Sequence, residues 1–217
     1  DYRIRSGVLY TLLQAVAEGH CYLPRENLLS RTQVLLGVSQ ENIDPHIDNL
    51  MMDKKLIIKG ECIYAYSYYY AELSCARMLH DLNMPMRESE SYVTGVLKSI
   101  SKELDIQSDE LQMQAVMGAI QNGLFILSGG PGTGKTTTIN TIIRYFEREG
   151  LDIYLAAPTG RAAKRMTEAT GFEARTIHRM LELNGALSDE NRRSVRFERN
   201  AENPLEADVV IIDEMSM

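Results

Sequence analysis

Residues 128–137 read SGGPGTGKTT, and Gly129, Gly134, Lys135 and Thr136 fit the spacing G-x-x-x-x-G-K-[ST]. Residues of these types, so spaced, suit the binding of phosphate. Glycines at 130, 132 and 134, with Pro131 and Thr133 between them, let the backbone curl until its N–H groups converge on an anion. The helix expected to open at Lys135 adds the positive end of its dipole. Lys135 can reach the β- and γ-phosphates of a nucleotide, the Thr136 hydroxyl can ligate Mg²⁺, and Thr137 falls in the same first turn. ATP with Mg²⁺ is the expected ligand.

A second chemical feature closes the chain. In DVVIIDEMSM four aliphatic residues, Val209 to Ile212, run into Asp213 and Glu214. Such a pair can be a plain helix cap, but its coupling to a phosphate loop selects a catalytic reading. Asp213 is expected to hold Mg²⁺, and Glu214 to orient or deprotonate a water beside the γ-phosphate. Lys135, Asp213 and Glu214 are the candidate catalytic residues.

These side chains need a scaffold. Leu124 to Leu127 predict a short buried strand before the loop, and Ile139, Ile142, Ile143 and Phe146 give the following helix an apolar face. DIYLAAP and DVVIIDE predict a second and a third strand, so the C-terminal half reads as α/β with a parallel sheet.

Upstream, SGVLYTLLQAVAE places apolar residues at helical spacing and Gly19 stops it. Cys21 to Leu23 suggest a short strand, Pro24 the first turn of a second helix ending at Gly37, and Ser39 the cap of a third with Ile43, Ile47 and Leu50/Met51 on its apolar face. KLIIKGECIYAY then predicts two strands around a turn at Lys59–Gly60. Three helices and a hairpin are the ingredients of a winged helix, which can contact nucleic acid or dock a protein. Asp44, Asp48 and Asp53 on or beside the third helix discourage phosphate contact. Tyrosines at 64, 66, 68, 69 and 70 can stack bases or simply pack. A helix continues from there, PMRESES reads as a linker, and two more helices are predicted at 89–104 and 108–122.

The chain has 217 residues, 44% hydrophobic and 24% charged, as an ordinary globular protein has. No run approaches a membrane span, and three cysteines without CxxC spacing fit a cytoplasmic protein better than a disulfide or metal framework. Net charge is -7, but residues 128–200 carry 12 Lys/Arg against 9 Asp/Glu, so overall acidity does not exclude a local phosphate-binding surface.

SGGPGTGKTTT, AAPTGRAAKRM, ARTIHRMLE and VVIIDEMSM together resemble the RecD-like superfamily 1 DNA helicases, the exodeoxyribonuclease V alpha-subunit family. The resemblance covers roughly residues 108–217, and GHCYLPRENLLSR extends it to the segment preceding the motor in long-form members. It implies a helical winged-helix-like domain over 1–85, a helical linker over 86–107 and an incomplete RecA-like ATPase domain over 108–217. It also implies single-stranded DNA and duplex junctions as partners, 5′ to 3′ translocation, and a role in recombination or repair, with a protein partner for the N-terminal region.

Carried over to this sequence, the resemblance makes Gln112 the adenine-reading residue, with Gln114 as the alternative. Pro158, Thr159, Gly160 and Arg161 become contacts to the DNA backbone, for which a helix N-terminus, a hydroxyl and a guanidinium are physically suited. Lys164 and Arg165, one turn on, can join them or form a solvated face. Thr176 and His178 are further DNA candidates, against a packed core histidine, and NRRSVRFERN is a loop near DNA or simply exposed. Met215 departs from the family's usual alanine. The family places ATP between two RecA-like domains and inserts a later strand between the phosphate-loop strand and the acidic strand. The chain is therefore expected to be the front part of a longer protein, binding ATP–Mg²⁺ weakly and hydrolysing it slowly by itself. A different function, a binding module on a non-translocating ATPase switch, shares the phosphate loop but has no need of AAPTGRAAKRM.

Overall fold

The computed structural model describes residues 1–85, 88–105, 109–184 and 196–217. The chain divides into two compact units, Asp1–Asn83 and Met84–Met217.

The first unit runs α1 (Tyr2–Ala17), β1 (Tyr22–Pro24), α2 (Arg25–Leu36), α3 (Gln40–Met52), β2 (Leu56–Lys59), β3 (Cys62–Ala65) and α4 (Tyr66–Leu82). Val8, Leu12 and Ala15 on α1 and Ile43, Ile47 and Leu50 on α3 recur at helical spacing and are almost fully buried. Pro45 lies inside α3 and forgoes one helical hydrogen bond, a loss of ~3 kcal/mol. Burying three large aliphatic side chains offsets it, at about 1.5–3 kcal/mol each. Thr11 and Thr32 are the buried polar residues of this core; Thr32 donates to the Thr11 hydroxyl at 3.2 Å, and Thr11 donates to the Gly7 carbonyl at 2.9 Å.

The three strands form an antiparallel sheet in the order β1-β3-β2. Gly60, at φ 58°, supplies the left-handed residue that turns β2 into β3. Pro24 ends β1 and caps α2 rather than lying in its first turn, and Met51 is exposed while Leu50 carries the contact. The tyrosines pack on one another: Tyr22–Tyr64, Tyr64–Tyr69, Tyr66–Tyr70 and Tyr69–Tyr70 have ring centroids 4.6–5.3 Å apart. That geometry is ordinary aromatic packing.

The second unit contains α5 (Glu90–Glu103), α6 (Glu110–Gln121), α7 (Lys135–Arg148), β4 (Ile153–Ala157), α8 (Gly160–Thr170), β5 (Ala174–Thr176), α9 (Ile177–Met180), β6 (Leu183–Asn184), β7 (Arg196–Phe197) and β8 (Val209–Ile212). Ser89 and Asp109 cap α5 and α6 by accepting from the N–H groups of Tyr92 and Gln112. The stretch 185–195 in NRRSVRFERN's neighbourhood, Met86 and Arg87 of the expected linker, and residues 106–108 lie outside the described residues.

β5, β4 and β8 form a parallel sheet in that order, with Ala157 opposite Thr176 and Ala156 opposite Ile212. α7 is the hub of this unit. Ile142, Tyr145 and Phe146 pack with Val93, Leu97 and Ile100 of α5 and Val116 and Ile120 of α6. Ile143 packs with Leu155 and Met166.

The expected buried strand at Leu124–Leu127 is a correction. No strand is formed there among the described residues, and Phe125 and Ile126 are 39% and 81% exposed. An aliphatic run becomes a strand only where a neighbour completes its ladder. No described strand pairs with it. β8 has β4 on one side alone among the described strands and leaves Val210 and Ile212 exposed.

Candidate nucleotide and nucleic-acid site

The loop before α7 is shaped by its glycines. Gly132 and Gly134 both lie at φ 76°, a conformation that costs an L-residue roughly 1–2 kcal/mol, and Gly134 caps α7. A Cβ at Gly129 would stand 2.7 Å from the Thr133 hydroxyl, and one at Gly134 would stand 2.2 Å from the Gln112 side-chain nitrogen. Thr133 in turn donates to the Gly130 carbonyl at 2.9 Å, drawing the loop closed. Gly134→Ala is therefore expected to combine backbone strain with displacement of Gln112. Equilibrium titration with a fluorescent ATP analogue should show at least a tenfold loss of affinity, while far-UV circular dichroism stays unchanged.

Lys135 donates from Nζ to the carbonyls of Gly129 and Gly130 at 2.6 and 2.7 Å. Its ammonium thus lies over the loop, bonded to groups that water could satisfy equally well. Thr136 is exposed at the start of α7, and Thr137 offers its carbonyl to the buried Thr141 hydroxyl at 3.0 Å. Gln112 reaches the loop, its amide 3.4 Å from the Thr133 carbonyl, whereas Gln114 turns to Glu110 of its own helix at 3.4 Å.

The acidic pair follows β8. The Asp213 N–H donates to the Ala156 carbonyl at 3.0 Å, extending the β4–β8 ladder by one bond. The Asp213 carboxylate accepts from the Glu214 N–H at 2.9 Å, and Glu214, a non-glycine residue, sits at φ 55°. The other end of this strand pair is fixed by Asp208, whose carboxylate accepts from the Asp152 N–H at 2.8 Å.

The two segments expected to meet DNA adopt the same arrangement. Thr159, after β4, accepts from the Ala162 N–H and caps α8; Thr176, ending β5, accepts from the Arg179 N–H and caps α9. Because β4 and β5 are parallel neighbours, both helix starts lie at the C-terminal edge of the sheet, as does Asp213. Pro158 and Thr159 are half-buried, while Gly160 and Arg161 are exposed. Lys164 is paired with Glu168 at 3.8 Å on a highly exposed face, which is the solvated alternative. Arg165 is also exposed. His178 is exposed too, so the packed-core alternative is set aside.

Sequence reasoning missed two features here. Arg175 forms a two-pronged pair with Glu173, 3.0 Å in each prong, and the guanidinium holds that carboxyl below its usual range. Phe197 lies beside His178 with ring centroids 6.2 Å apart. Neither carries a local motif.

Residues 112–217 match the AAA domain family. Over 99% of its length the chain is 29% identical to the ATP-dependent RecD2 DNA helicase of Deinococcus radiodurans, covering 30% of that protein. It is 37% identical over 57% of its length to the RecBCD enzyme subunit RecD of Mycolicibacterium smegmatis, covering 25% of it. For the RecBCD enzyme subunit RecD of Haemophilus influenzae the figures are 36%, 51% and 20%. The chain thus spans about a third or less of the curated relatives it matches. Residues 112–217 form an AAA domain, and the chain that carries it is RecD-like.

Proposed function

We propose that this chain is the ATP-gripping portion of a RecD-type DNA helicase, which moves 5′ to 3′ on single-stranded DNA and unwinds duplex junctions in recombination or repair. The carrying observation is that the ends of β4, β5 and β8 bring two threonine-capped helix starts and an acidic pair to one edge of one sheet.

The residues present fit a nucleotide. A Cβ at Gly129 would crowd the Thr133 hydroxyl and one at Gly134 would displace the Gln112 amide, and among the described residues Lys135 is bonded to carbonyls that water can replace. Gln112 would read the base, and residues 130–137 would hold the phosphates through backbone N–H groups, Lys135 and the Thr136 and Thr137 hydroxyls. Thr136 and Asp213 would hold Mg²⁺, which when bound supplies charge neutralisation between phosphates. Glu214 would position a water and accept its proton. Pro158, Thr159, Gly160, Arg161, Thr176 and His178 would track the DNA backbone, a task for helix N-termini and cations.

Residues 1–85 form a winged-helix-like domain in this reading, 86–107 a helical linker and 108–217 a RecA-like domain, in a cytoplasmic protein. Asp44 and Asp48 on α3 share the single guanidinium of Arg25, at 2.8 and 3.2 Å, which leaves this group one negative charge in excess. That favours a protein partner over DNA phosphate.

Strand displacement by the whole protein on 5′- and 3′-tailed duplexes tests the proposal. ATP-dependent displacement of the 5′-tailed duplex alone is expected. Displacement of the 3′-tailed duplex alone overturns the direction, and DNA-stimulated hydrolysis with no displacement of either overturns the motor and favours a switch.

A further inference from the structure

Asn140 is a polar residue on a side of α7 that otherwise packs, next to Ile139 and one turn before the Ile143–Arg144 pair, where Ile143 joins Leu155 and Met166 in a core. Its side-chain amide donates to the Ala169 carbonyl, in the last turn of α8, at 3.1 Å. That carbonyl is one of those a helix end leaves without an internal partner. The other half of the amide is idle: Asn140 Oδ1 is buried and has no hydrogen-bond partner among the described residues. A buried acceptor without a donor is a loss that a leucine of similar volume would avoid. Packing therefore does not account for an amide here, whereas the bond to α8 does.

Arg144, one turn further along α7, places its guanidinium over the Phe172 ring, 5.4 Å from the centroid. Asn140 and Arg144 thus hold both sides of Gly171, which ends α8 at φ 76°. The turn between them is stiff in itself. Thr170 donates to the Met166 carbonyl at 2.8 Å and accepts from the Phe172 N–H at 3.2 Å. The Ala174 N–H, opening β5, donates to the Thr167 hydroxyl at 2.9 Å. A displacement of α7 is therefore passed to α8 and to the start of β5 together. Apolar contact by itself, being non-directional, would let the helices slide. Asn140 stands about 7.5 Å along the helix axis from Lys135 and so outside the phosphate loop. Its partner Ala169 lies at the opposite end of α8 from the Thr159 cap.

We infer that Asn140 is a positioning residue that couples the nucleotide helix to the DNA helix, by tying α7 to the end of α8. The inference rests on the ATP and DNA readings above and supplies a link between two sites that they leave separate. Such coupling is reciprocal: whatever factor nucleotide applies to DNA affinity, DNA applies to nucleotide affinity.

That factor can be measured in the whole protein with an oligothymidylate and a non-hydrolysable ATP analogue as ligands. In the parent, saturating analogue should change oligothymidylate affinity by about 5- to 150-fold. Asn140→Leu keeps the volume and removes the amide. It should bring the factor to within about twofold of unity, while each ligand by itself binds as it does to the parent. ATP turnover without DNA should be parent-like, and its stimulation by oligothymidylate should be lost. Asn140→Asp keeps the shape but cannot donate, and should uncouple as Leu does, whereas Asn140→Gln, which donates, should regain stimulation. A parent-like factor in Asn140→Leu overturns the inference and leaves the helicase reading intact. Equal weakening of both ligands with a lowered thermal midpoint and an unchanged factor assigns Asn140 to packing and overturns it equally. A parent that binds the two ligands independently, or binds no oligothymidylate, fails the DNA-motor reading itself and takes this inference with it.

Discussion

Lys135→Ala should abolish unwinding and lower DNA-stimulated ATP turnover of the whole protein by about 10²–10³-fold, the range seen when one preorganised charge stabiliser is removed. The reason lies in the composition of the loop. Residues 128–134 carry no charged side chain, so Lys135 is the one full positive charge the loop sequence presents to a phosphate. Its present partners, the Gly129 and Gly130 carbonyls, are exposed and accept water readily, so losing the ammonium alters stability by no more than about 1 kcal/mol. A thermal midpoint near the parent's, together with collapsed turnover, is the expected pair of results. Lys135→Arg should fail also, because a planar guanidinium cannot replace a compact ammonium with three rotatable donors. Turnover within threefold of the parent in Lys135→Ala would remove Lys135 from the catalytic set.

How much of this was legible in the sequence depends on what each feature needs. α7 is local: its glycine entry and its apolar residues at 139, 142, 143 and 146 name a helix and the side it buries, and both are as expected. The Thr159 cap is local as well, spelled by a polar residue between a strand and a helix. β5 is not local. It is three residues long with Arg175 in the middle, and only its ladder with β4 makes it a strand. β6 and β7 are two residues each, joined across a gap of 11 residues (185–195), too far apart for any pattern to announce. Leu124–Leu127 fails in the opposite way, offering a strand's composition without a ladder. Gln112 and Gln114 are two positions apart on a helix, hence on nearly opposite faces. Composition cannot say which face meets the loop, and the structure turns Gln112 to it.

The acidic pair invites the sharpest test, because Glu214 combines an exposed carboxylate with an unfavourable backbone. At φ 55° a glutamate gives up on the order of 1 kcal/mol or more that a glycine would keep. The turn that holds it is closed by the Asp213 carboxylate accepting from the Glu214 N–H and by the Met217 N–H donating to the Glu214 carbonyl at 3.1 Å. None of these bonds uses the Glu214 carboxylate, which has no hydrogen bond or ion pair among the described residues and can meet a water. Glu214→Gln keeps the length, the turn and the hydrogen-bonding backbone, and changes only the ability to accept a proton. ATP affinity should be unchanged, and hydrolysis should fall by about 10²–10⁴-fold, the usual contribution of a positioned base. Unwinding should disappear with it. Glu214→Gly is the complementary experiment: it relieves the left-handed backbone, so the thermal midpoint should hold or rise while hydrolysis is lost equally. A parent-like rate of strand displacement in Glu214→Gln would show that another group prepares the water, and that the strained turn after β8 serves some purpose other than presenting a base.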